Sequence, residues 1–147
     1  MKTAIIPNDI LVTEIDRLIK EGSQVAFTPK GFSMLPFIRG GRDTVLLTAP
    51  EEINIRDIVL ARVAPNRYVL HRVINISGGE VELMGDGNLV GTERCRLEDV
   101  LALALEIRKD GKTIDCRSRK HLRRAGIWWA LKPIRRYLLA VYRRIEK

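Results

Sequence analysis

Cysteine, histidine and long apolar runs are all scarce in this chain of 147 residues. Its two cysteines, Cys95 and Cys116, are too few for a disulfide framework, so we expect free thiols in a reducing compartment. Charged residues interrupt every apolar run before it reaches the ~20 residues that a membrane-spanning helix needs. They also interrupt the N-terminal region, where a secretory signal would need an apolar core. These absences predict a cytoplasmic protein with neither a transmembrane anchor nor a cleaved leader.

Positive charge is concentrated at one end of the chain. The net charge is +8, but residues 117–147 hold 11 of the 26 basic residues and a single acid, Glu146. Residues 1–116 hold 15 basic and 17 acidic residues and are therefore slightly acidic. An anionic partner, if there is one, is expected to meet the C-terminal segment and not the body of the protein.

Length and composition are those of one globular domain. A chain of this size buries roughly 70% of its unfolded surface, and the hydrophobic and charged fractions of 46% and 30% exclude general disorder. They exclude neither an enzyme nor a binding module. The pattern divides the chain into an N-terminal helical segment (1–22), a β domain (23–116) and a basic amphipathic helical tail (117–147).

Hydrophobic periodicity predicts one helix followed by a β body. The helical spacing covers residues 9–21, with Asn8 as its cap and Gly22 as its end. Short β-rich runs follow at 24–28, 44–47, 57–63, 68–76, 80–84 and 100–107, and 112–116 is a further candidate. Hairpin turns are predicted at Ser77-Gly78-Gly79 and at Asp110-Gly111.

After Cys116 the pattern becomes helical again, and Pro133 is expected to kink or divide the helix. One apolar stripe is formed by Ile127, Leu131, Ile134, Leu138, Val141 and Ile145. With Trp128, Trp129, Tyr137 and Tyr142 beside it and basic residues around it, this composition is typical of a helix at an anionic membrane surface. The alternative is a terminal helix that packs on the body with a solvated basic face. Nucleic acid ranks below lipid because no groove-reading motif is present.

The chain has only two histidines, so a histidine-assisted mechanism has few possible bases. His121 lies among four cations with no acid nearby, whereas His71 lies in an apolar strand where a buried ring needs a polar partner. Ser33 lies between a glycine and a proline, so a rigid turn could present its hydroxyl, with the neighbouring amides of Phe32 and Met34 as an oxyanion hole. Read alone, each of these signals also fits an ordinary structural residue.

Several motifs in a constant order are more specific, and together they cover about residues 25–107. They are Gly31-Phe32-Ser33-Met34-Leu35-Pro36, Arg39-Gly40-Gly41-Arg42-Asp43-Thr44-Val45, Ile55-Arg56-Asp57-Ile58-Val59, His71-Arg72-Val73 and Gly85-Asp86-Gly87-Asn88. This series resembles the conserved boxes of the signal peptidase I and LexA-like serine peptidases, and is most similar to the branch with a histidine base. Gly31 departs from many signal peptidases, which have a side-chain oxyanion donor there.

The resemblance implies a coiled, partly open β-barrel with a helix at each end, and a metal-free and cofactor-free serine endopeptidase. In it Ser33 is the nucleophile, His71 the general base and Asp86 the acid behind the imidazole. Glu93 is the alternative third member, because this branch places an acid several residues after its Gly-Asp box. The implied substrate is a protein or peptide cleaved after a small residue, and the protein could act peripherally at the inner membrane surface.

Two alternatives stay open at this point. One is a LexA-like self-cleaving regulator, since the bond between Ala125 and Gly126 resembles the bonds that such proteins cut in themselves. The other is a non-catalytic scaffold whose basic tail binds anionic membrane or nucleic acid. Replacing Ser33 by Ala would abolish truncation in the first and leave the second unaffected.

Overall fold

The computed structural model describes residues 8–145, which form one open, curled antiparallel sheet with three helices. The helices are α1 (Asn8–Lys20), α2 (Arg119–Ala130) and α3 (Arg135–Ile145). The strands are β1 (Val25–Phe27), β2 (Thr44–Thr48), β3 (Ile58–Ala64), β4 (Arg67–Ser77), β5 (Glu80–Met84), β6 (Glu93–Arg96), β7 (Val100–Lys109) and β8 (Lys112–Asp115). Single 3₁₀ turns lie at Leu97–Asp99 and Lys132–Ile134. The predicted mainly β class with helices at both ends is confirmed.

The strand order is β1-β2-β7-β3-β4-β5-β6, and every pair is antiparallel. The long strand β7 pairs with β2 along one edge, while β3 and β8 pair with its two ends along the other edge. Helix α1 contacts β1, β4 and β7, which are not neighbours in the sheet. A sheet that brings these strands to one helix must curl around it.

Helix α1 supplies part of the main core. Val12, Ile15 and Ile19 recur at helical spacing and are all buried in the cluster that includes residues of β1, β2, β3 and β7. The helix begins and ends within one residue of the prediction. The predicted cap by the Asn8 side chain lies outside the described residues. The apolar stripe of this helix therefore fixes the sheet's concave side.

All seven predicted β runs are strands, with bounds that differ by no more than two residues. Both predicted turns connect neighbouring strands, β4 to β5 and β7 to β8. Strand β6 was not predicted, because Glu93-Arg94-Cys95-Arg96 has three charged residues and buries only Cys95. Such a composition is ordinary for a strand at the edge of a sheet, where β6 lies. Cys95 and Cys116 are both free thiols, as expected.

The C-terminal segment is divided at Pro133 as predicted, but it packs with a different face. Ala125, Trp128 and Leu139 are buried, and Trp128 and Leu139 form a small cluster with Leu35. Most of the predicted apolar stripe, including Ile127, is exposed. Trp128 and Trp129, which we expected at a membrane surface, instead face the body. The placement of these two residues was wrong, because their indole N–H groups find acceptors on the body.

Candidate active site

The centre of the candidate site is His71 on strand β4. It pairs with Val59 of β3 and is only 6% exposed. Its Nδ1 atom lies 2.7 Å from Oε1 of Glu93, which begins strand β6. An ionised carboxylate can only accept, so the proton belongs on Nδ1 and Nε2 is left as an acceptor. A buried, oriented imidazole with a free nitrogen is suited to take a proton.

The register of three strands explains why the imidazole reaches Glu93. Arg72 pairs with Met84 and Val73 with Leu83, so the next position along β5, opposite His71, is Gly85. Leu83 in turn pairs with Glu93 of β6. Because residues two apart share a face, His71 and Glu93 lie on the same side of the sheet. Gly85 has no side chain to separate them.

Glu93 is held at the edge of the site by a second, weaker contact. The guanidinium of Arg67 lies 3.8 Å from Oε2 of Glu93, and Arg67 itself is largely exposed. The Glu93 side chain is 15% exposed, so the pair is partly open to solvent. Exposed contacts of this kind contribute little to stability. The carboxylate's main effect is to orient the imidazole.

Ser33 lies in the loop between β1 and β2, and that loop is anchored on both sides of the serine. Met34 and Leu35 are buried, in the main core and in the C-terminal cluster respectively. The carbonyl oxygen of Met34 accepts from the N–H groups of Phe37 and Ile38, both at 2.9 Å. Ser33 therefore lies on a turn that its neighbours hold in place. The sequence predicted such a turn.

Two glycines allow the Ser33 loop to lie directly against the Gly85-Asp86-Gly87-Asn88 turn. The Gly87 N–H donates to the carbonyl oxygen of Ser33 at 2.7 Å. A Cβ atom at Gly87 would lie 2.1 Å from the carbonyl oxygen of Phe32, which is far inside van der Waals contact. At Gly85 it would lie 2.3 Å from the carbonyl oxygen of Ser33. The two motifs meet backbone to backbone, and only glycine fits at either position.

The same close approach brings Ser33 to the histidine. A Cβ atom at Gly85 would also lie 3.1 Å from Nε2 of His71. The carbonyl oxygen of Ser33, at 2.3 Å, and Nε2 of His71, at 3.1 Å, both lie close to this one position. The two atoms are therefore near each other. Both residues line one cavity of about 240 Å³, with Met34, Leu60 and Leu70 among its apolar walls. The structure brings these two predicted residues to one cleft.

Within residues 8–145, the Ser33 hydroxyl and the amides around it have no protein partners. Among residues 8–145, the Ser33 side chain makes no hydrogen bond, to His71 or to any other group. Within the same range, the N–H groups of Phe32, Ser33 and Met34 donate to no protein acceptor. In ligand-free enzymes catalytic hydrogen bonds are often long and tighten only when substrate binds. Unpaired N–H groups beside a serine are what an oxyanion hole requires.

Asp86, the first predicted partner of His71, lies in a different environment. It is fully buried, and its carboxylate binds Arg72 in two contacts, at 2.6 and 3.1 Å. The Trp129 indole donates to the same carboxylate at 2.9 Å, and the Trp128 indole donates to the Asp86 carbonyl oxygen at 2.8 Å. The carboxylate of Asp86 thus joins helix α2 to β4, while that of Glu93 lies on the imidazole.

Arg72 is the centre of this second network, which the sequence did not reveal. Its Nη1 atom donates to the Arg56 carbonyl oxygen at 2.9 Å and contacts Nε2 of His121 at 3.1 Å. Its guanidinium also lies 5.0 Å from the centre of the Phe37 ring. A guanidinium only donates, so Nε2 of His121 must be the acceptor and His121 must be neutral. The one available signal was alternation along β4, which places Arg72 on the opposite face from His71.

His121 is buried in this network and does not face the cleft. Burial and, to a smaller extent, the nearby Arg72 charge lower its pKa to about 4. Of the four cations beside it in the sequence, Arg124 adds a smaller lowering effect, while the carboxylates of Asp86 and Asp115 act in the opposite direction. Its ring also meets Phe37 edge to face, with centroids 5.3 Å apart. His121 is a structural residue.

The aspartates of the two other motifs immediately precede strands β2 and β3. Asp43 is buried and held by Arg39, whose pKa it raises, and by Lys109. Asp57 is buried and held by Arg117 at 2.7 Å. Neither carboxylate lines the cleft. These motifs fix the ends of β2 and β3 and have no part in the chemistry.

The bond between Ala125 and Gly126 lies inside helix α2, and Ala125 is fully buried. Cleavage there would require the helix to unfold first.

No group of three or more metal-ligating side chains occurs among the residues that the structure describes. Within the same residues, no helix is long and apolar enough to cross a bilayer.

A scan against protein-family models gave no match, and no curated protein matches the chain. What can be said of its chemistry therefore comes from its own residues and from the resemblance of its motifs.

Proposed function

We propose that this protein is a serine endopeptidase of the signal peptidase and LexA type. Ser33 is its nucleophile, His71 its general base and Glu93 the acid that orients the imidazole. The observation that carries the proposal is the buried His71, whose Nδ1 is occupied by Glu93 and whose Nε2 lies beside the Ser33 loop. A strand histidine without a role would not need both features.

The reaction that follows is acyl transfer. The Ser33 hydroxyl attacks the carbonyl carbon of the scissile bond while Nε2 of His71 accepts its proton. The free N–H groups of Ser33 and Met34 stabilise the negative charge on the carbonyl oxygen. The C–N bond breaks as His71 gives the proton to the leaving amine. Water, activated by the same imidazole, then hydrolyses the acyl enzyme and frees Ser33.

Glu93 takes the third role in preference to Asp86 on geometric grounds. Glu93 accepts from the ring nitrogen that does not meet the nucleophile. The Asp86 carboxylate is already occupied by Arg72 and Trp129. An acid in the position of Glu93 keeps the imidazole in the tautomer that can take a proton, and stabilises the imidazolium once it forms.

Labelling by a serine-reactive phosphonate tests the proposal. The wild-type protein is expected to gain one adduct, mapped by mass spectrometry to the peptide that contains Ser33. The variants Ser33→Ala and His71→Ala should lose labelling, since removing a nucleophile or its base can lower turnover about a millionfold. Ser77→Ala, which changes an exposed serine in the β4–β5 turn, is the matched control and should label normally.

Equal labelling of all four proteins would reject the peptidase assignment. Loss of labelling in Ser33→Ala alone would keep the nucleophile but reject His71 as its base. Circular dichroism of each variant shows whether a loss reflects chemistry or unfolding.

A further inference from the structure

Helix α3 has two apolar sides, and only one of them is used by the fold. Leu139 and Arg135 are buried on one side. On the other side Tyr137, Val141 and Ile145 recur every four residues and are 68%, 55% and 69% exposed. Ile134, one residue before the helix, is 49% exposed and extends the same side. We define these four residues as the outer stripe.

The outer stripe is held in a fixed orientation by the opposite side of the helix. Arg135 donates to the Asn88 carbonyl oxygen at 2.8 Å, and its guanidinium lies 4.3 Å from the centre of the Trp129 ring. Leu139 packs in the cluster with Leu35 and Trp128. Because α3 is already attached to the body through these residues, turning the outer stripe inward would break those contacts. The exposure of the stripe is therefore a property of the folded protein.

The exposed cations of the C-terminal segment are also unpaired within the described residues. Eight exposed basic residues belong to the C-terminal segment, and none of them makes an ion pair within residues 8–145. They are Arg119, Lys120, Arg123, Arg124, Lys132, Arg136, Arg143 and Arg144. On α3, Arg144 is three residues after Val141 and seven after Tyr137, so helical spacing places it beside the outer stripe. The other cations add positive charge to the same C-terminal segment.

We propose that the outer stripe and its cations bind an anionic lipid surface. Aliphatic and tyrosine side chains would enter the headgroup region while arginine and lysine meet lipid phosphates and carboxylates. A second copy of the chain fits less well, because two strongly positive surfaces repel each other. Nucleic acid would use the cations but has no use for exposed isoleucine and valine. The complementarity is to a surface that is both apolar and negative.

Vesicle sedimentation with the full chain tests this proposal. Binding is expected to vesicles of phosphatidylcholine mixed with phosphatidylserine, and to be at least about tenfold weaker to pure phosphatidylcholine. Raising the salt from ~0.1 M to ~1 M, which shortens the screening length from ~10 Å to ~3 Å, should weaken it further. Equal binding to both vesicle types, or no binding to either, overturns the proposal.

Paired variants identify the surface. Val141→Ser with Ile145→Ser, and separately Arg144→Glu, should each lower vesicle binding at least about tenfold. Ile55→Ser with Val90→Ser and Arg62→Glu with Arg108→Glu are matched controls, since these residues are exposed on the body. The controls should bind like wild type. Loss of binding in the controls as well would place the contact elsewhere.

The other occupants give distinct results. A dimer in sizing chromatography that Val141→Ser with Ile145→Ser dissociates would assign the stripe to self-association. Binding to duplex DNA that depends on Arg144 but not on Val141 and Ile145 would assign the cations to nucleic acid. Either result, in the absence of vesicle binding, contradicts the lipid proposal. Phosphonate labelling of Ser33 in solution does not depend on any of these outcomes.

Discussion

Neighbouring residues of strand β4, His71 and Arg72, each bind a carboxylate, on opposite faces of the sheet. His71 contacts Glu93 through Nδ1 at the edge of a cleft, and this contact leaves Nε2 available. Arg72 meets Asp86 where both side chains are almost completely buried, and Trp129 and His121 bind the pair as well. The difference teaches that a pair with spare bonding capacity beside a cavity is suited to chemistry, whereas a saturated pair serves to hold the fold.

The largest difference between the two pairs is expected when Glu93 is changed. Glu93→Gln keeps the size of the side chain but removes the charge, and as an amide it can donate to Nδ1 and favour the wrong tautomer. We expect the rate of Ser33 phosphonylation to fall about 10²- to 10⁴-fold, by analogy with the loss of the orienting acid in serine proteases. Stopped-flow labelling measures it, and the melting temperature should change little because the site is partly open.

A large fall in melting temperature with an unchanged labelling rate would reverse the assignment, and would make Glu93 the structural acid. Glu82→Gln is a matched control on β5, since Glu82 is only partly exposed and contacts Thr92 and Arg94 away from the cleft. That variant should label at the wild-type rate.

Arg72 should give the opposite pattern. Arg72→Met leaves the Asp86 carboxylate buried without its cation, and breaking a buried pair in this way costs about 3–5 kcal/mol. Urea unfolding measures the loss. Adding Asp86→Leu to Arg72→Met removes the uncompensated charge and should recover part of that stability. If the double variant is no more stable than Arg72→Met, the destabilisation by Arg72→Met does not come from the unpaired charge of the buried Asp86 carboxylate.

A smaller effect is expected in the pH dependence of the free energy of unfolding, and it arises at His121. Its pKa is about 4 in the folded protein and about 6.5 when unfolded, so between these values the unfolded chain binds more protons. The stability is therefore complete above about pH 6.5, falls as the pH drops toward 4, and stays low below that. The full loss is about 3 kcal/mol.

His121→Gln isolates this contribution, because the glutamine oxygen can still accept from Arg72 but does not titrate. The difference in free energy of unfolding between wild type and His121→Gln should change with pH only in that window. A parallel pH dependence of the two proteins would show that His121 does not titrate on unfolding as we expect.

Local signals were enough to predict much of the fold. The helix ends, seven strands and two hairpins follow from apolar periodicity and turn residues, which depend on near neighbours in the sequence. Strand β6 was not predicted because it is an edge strand in which Glu93, Arg94 and Arg96 are charged and only Cys95 is buried. It therefore has no apolar periodicity to detect. Its absence from the prediction is also why the sequence could not choose between Asp86 and Glu93. That choice depends on the register of β4, β5 and β6.

The C-terminal segment shows the same limit. Helical spacing correctly predicted an apolar stripe and a break at Pro133, but it could not say which side of the helix faces the body. That was decided by Asp86, whose carbonyl and carboxylate oxygens accept from Trp128 and Trp129. Hydrogen bonds between residues 42 and 43 positions apart leave no mark on local periodicity. Trp128 was therefore buried, and its neighbour Ile127 was left exposed.

The most direct test of the proposed Ser33, His71 and Glu93 triad is a crystal structure of the phosphonate-treated protein. The account predicts phosphorus bonded to Oγ of Ser33, a phosphoryl oxygen bound by the N–H groups of Ser33 and Met34, and Nε2 of His71 within hydrogen-bonding distance of the adduct while Nδ1 still meets Glu93. An unmodified Ser33, or an adduct whose oxygens the His71 imidazole does not approach, would contradict it.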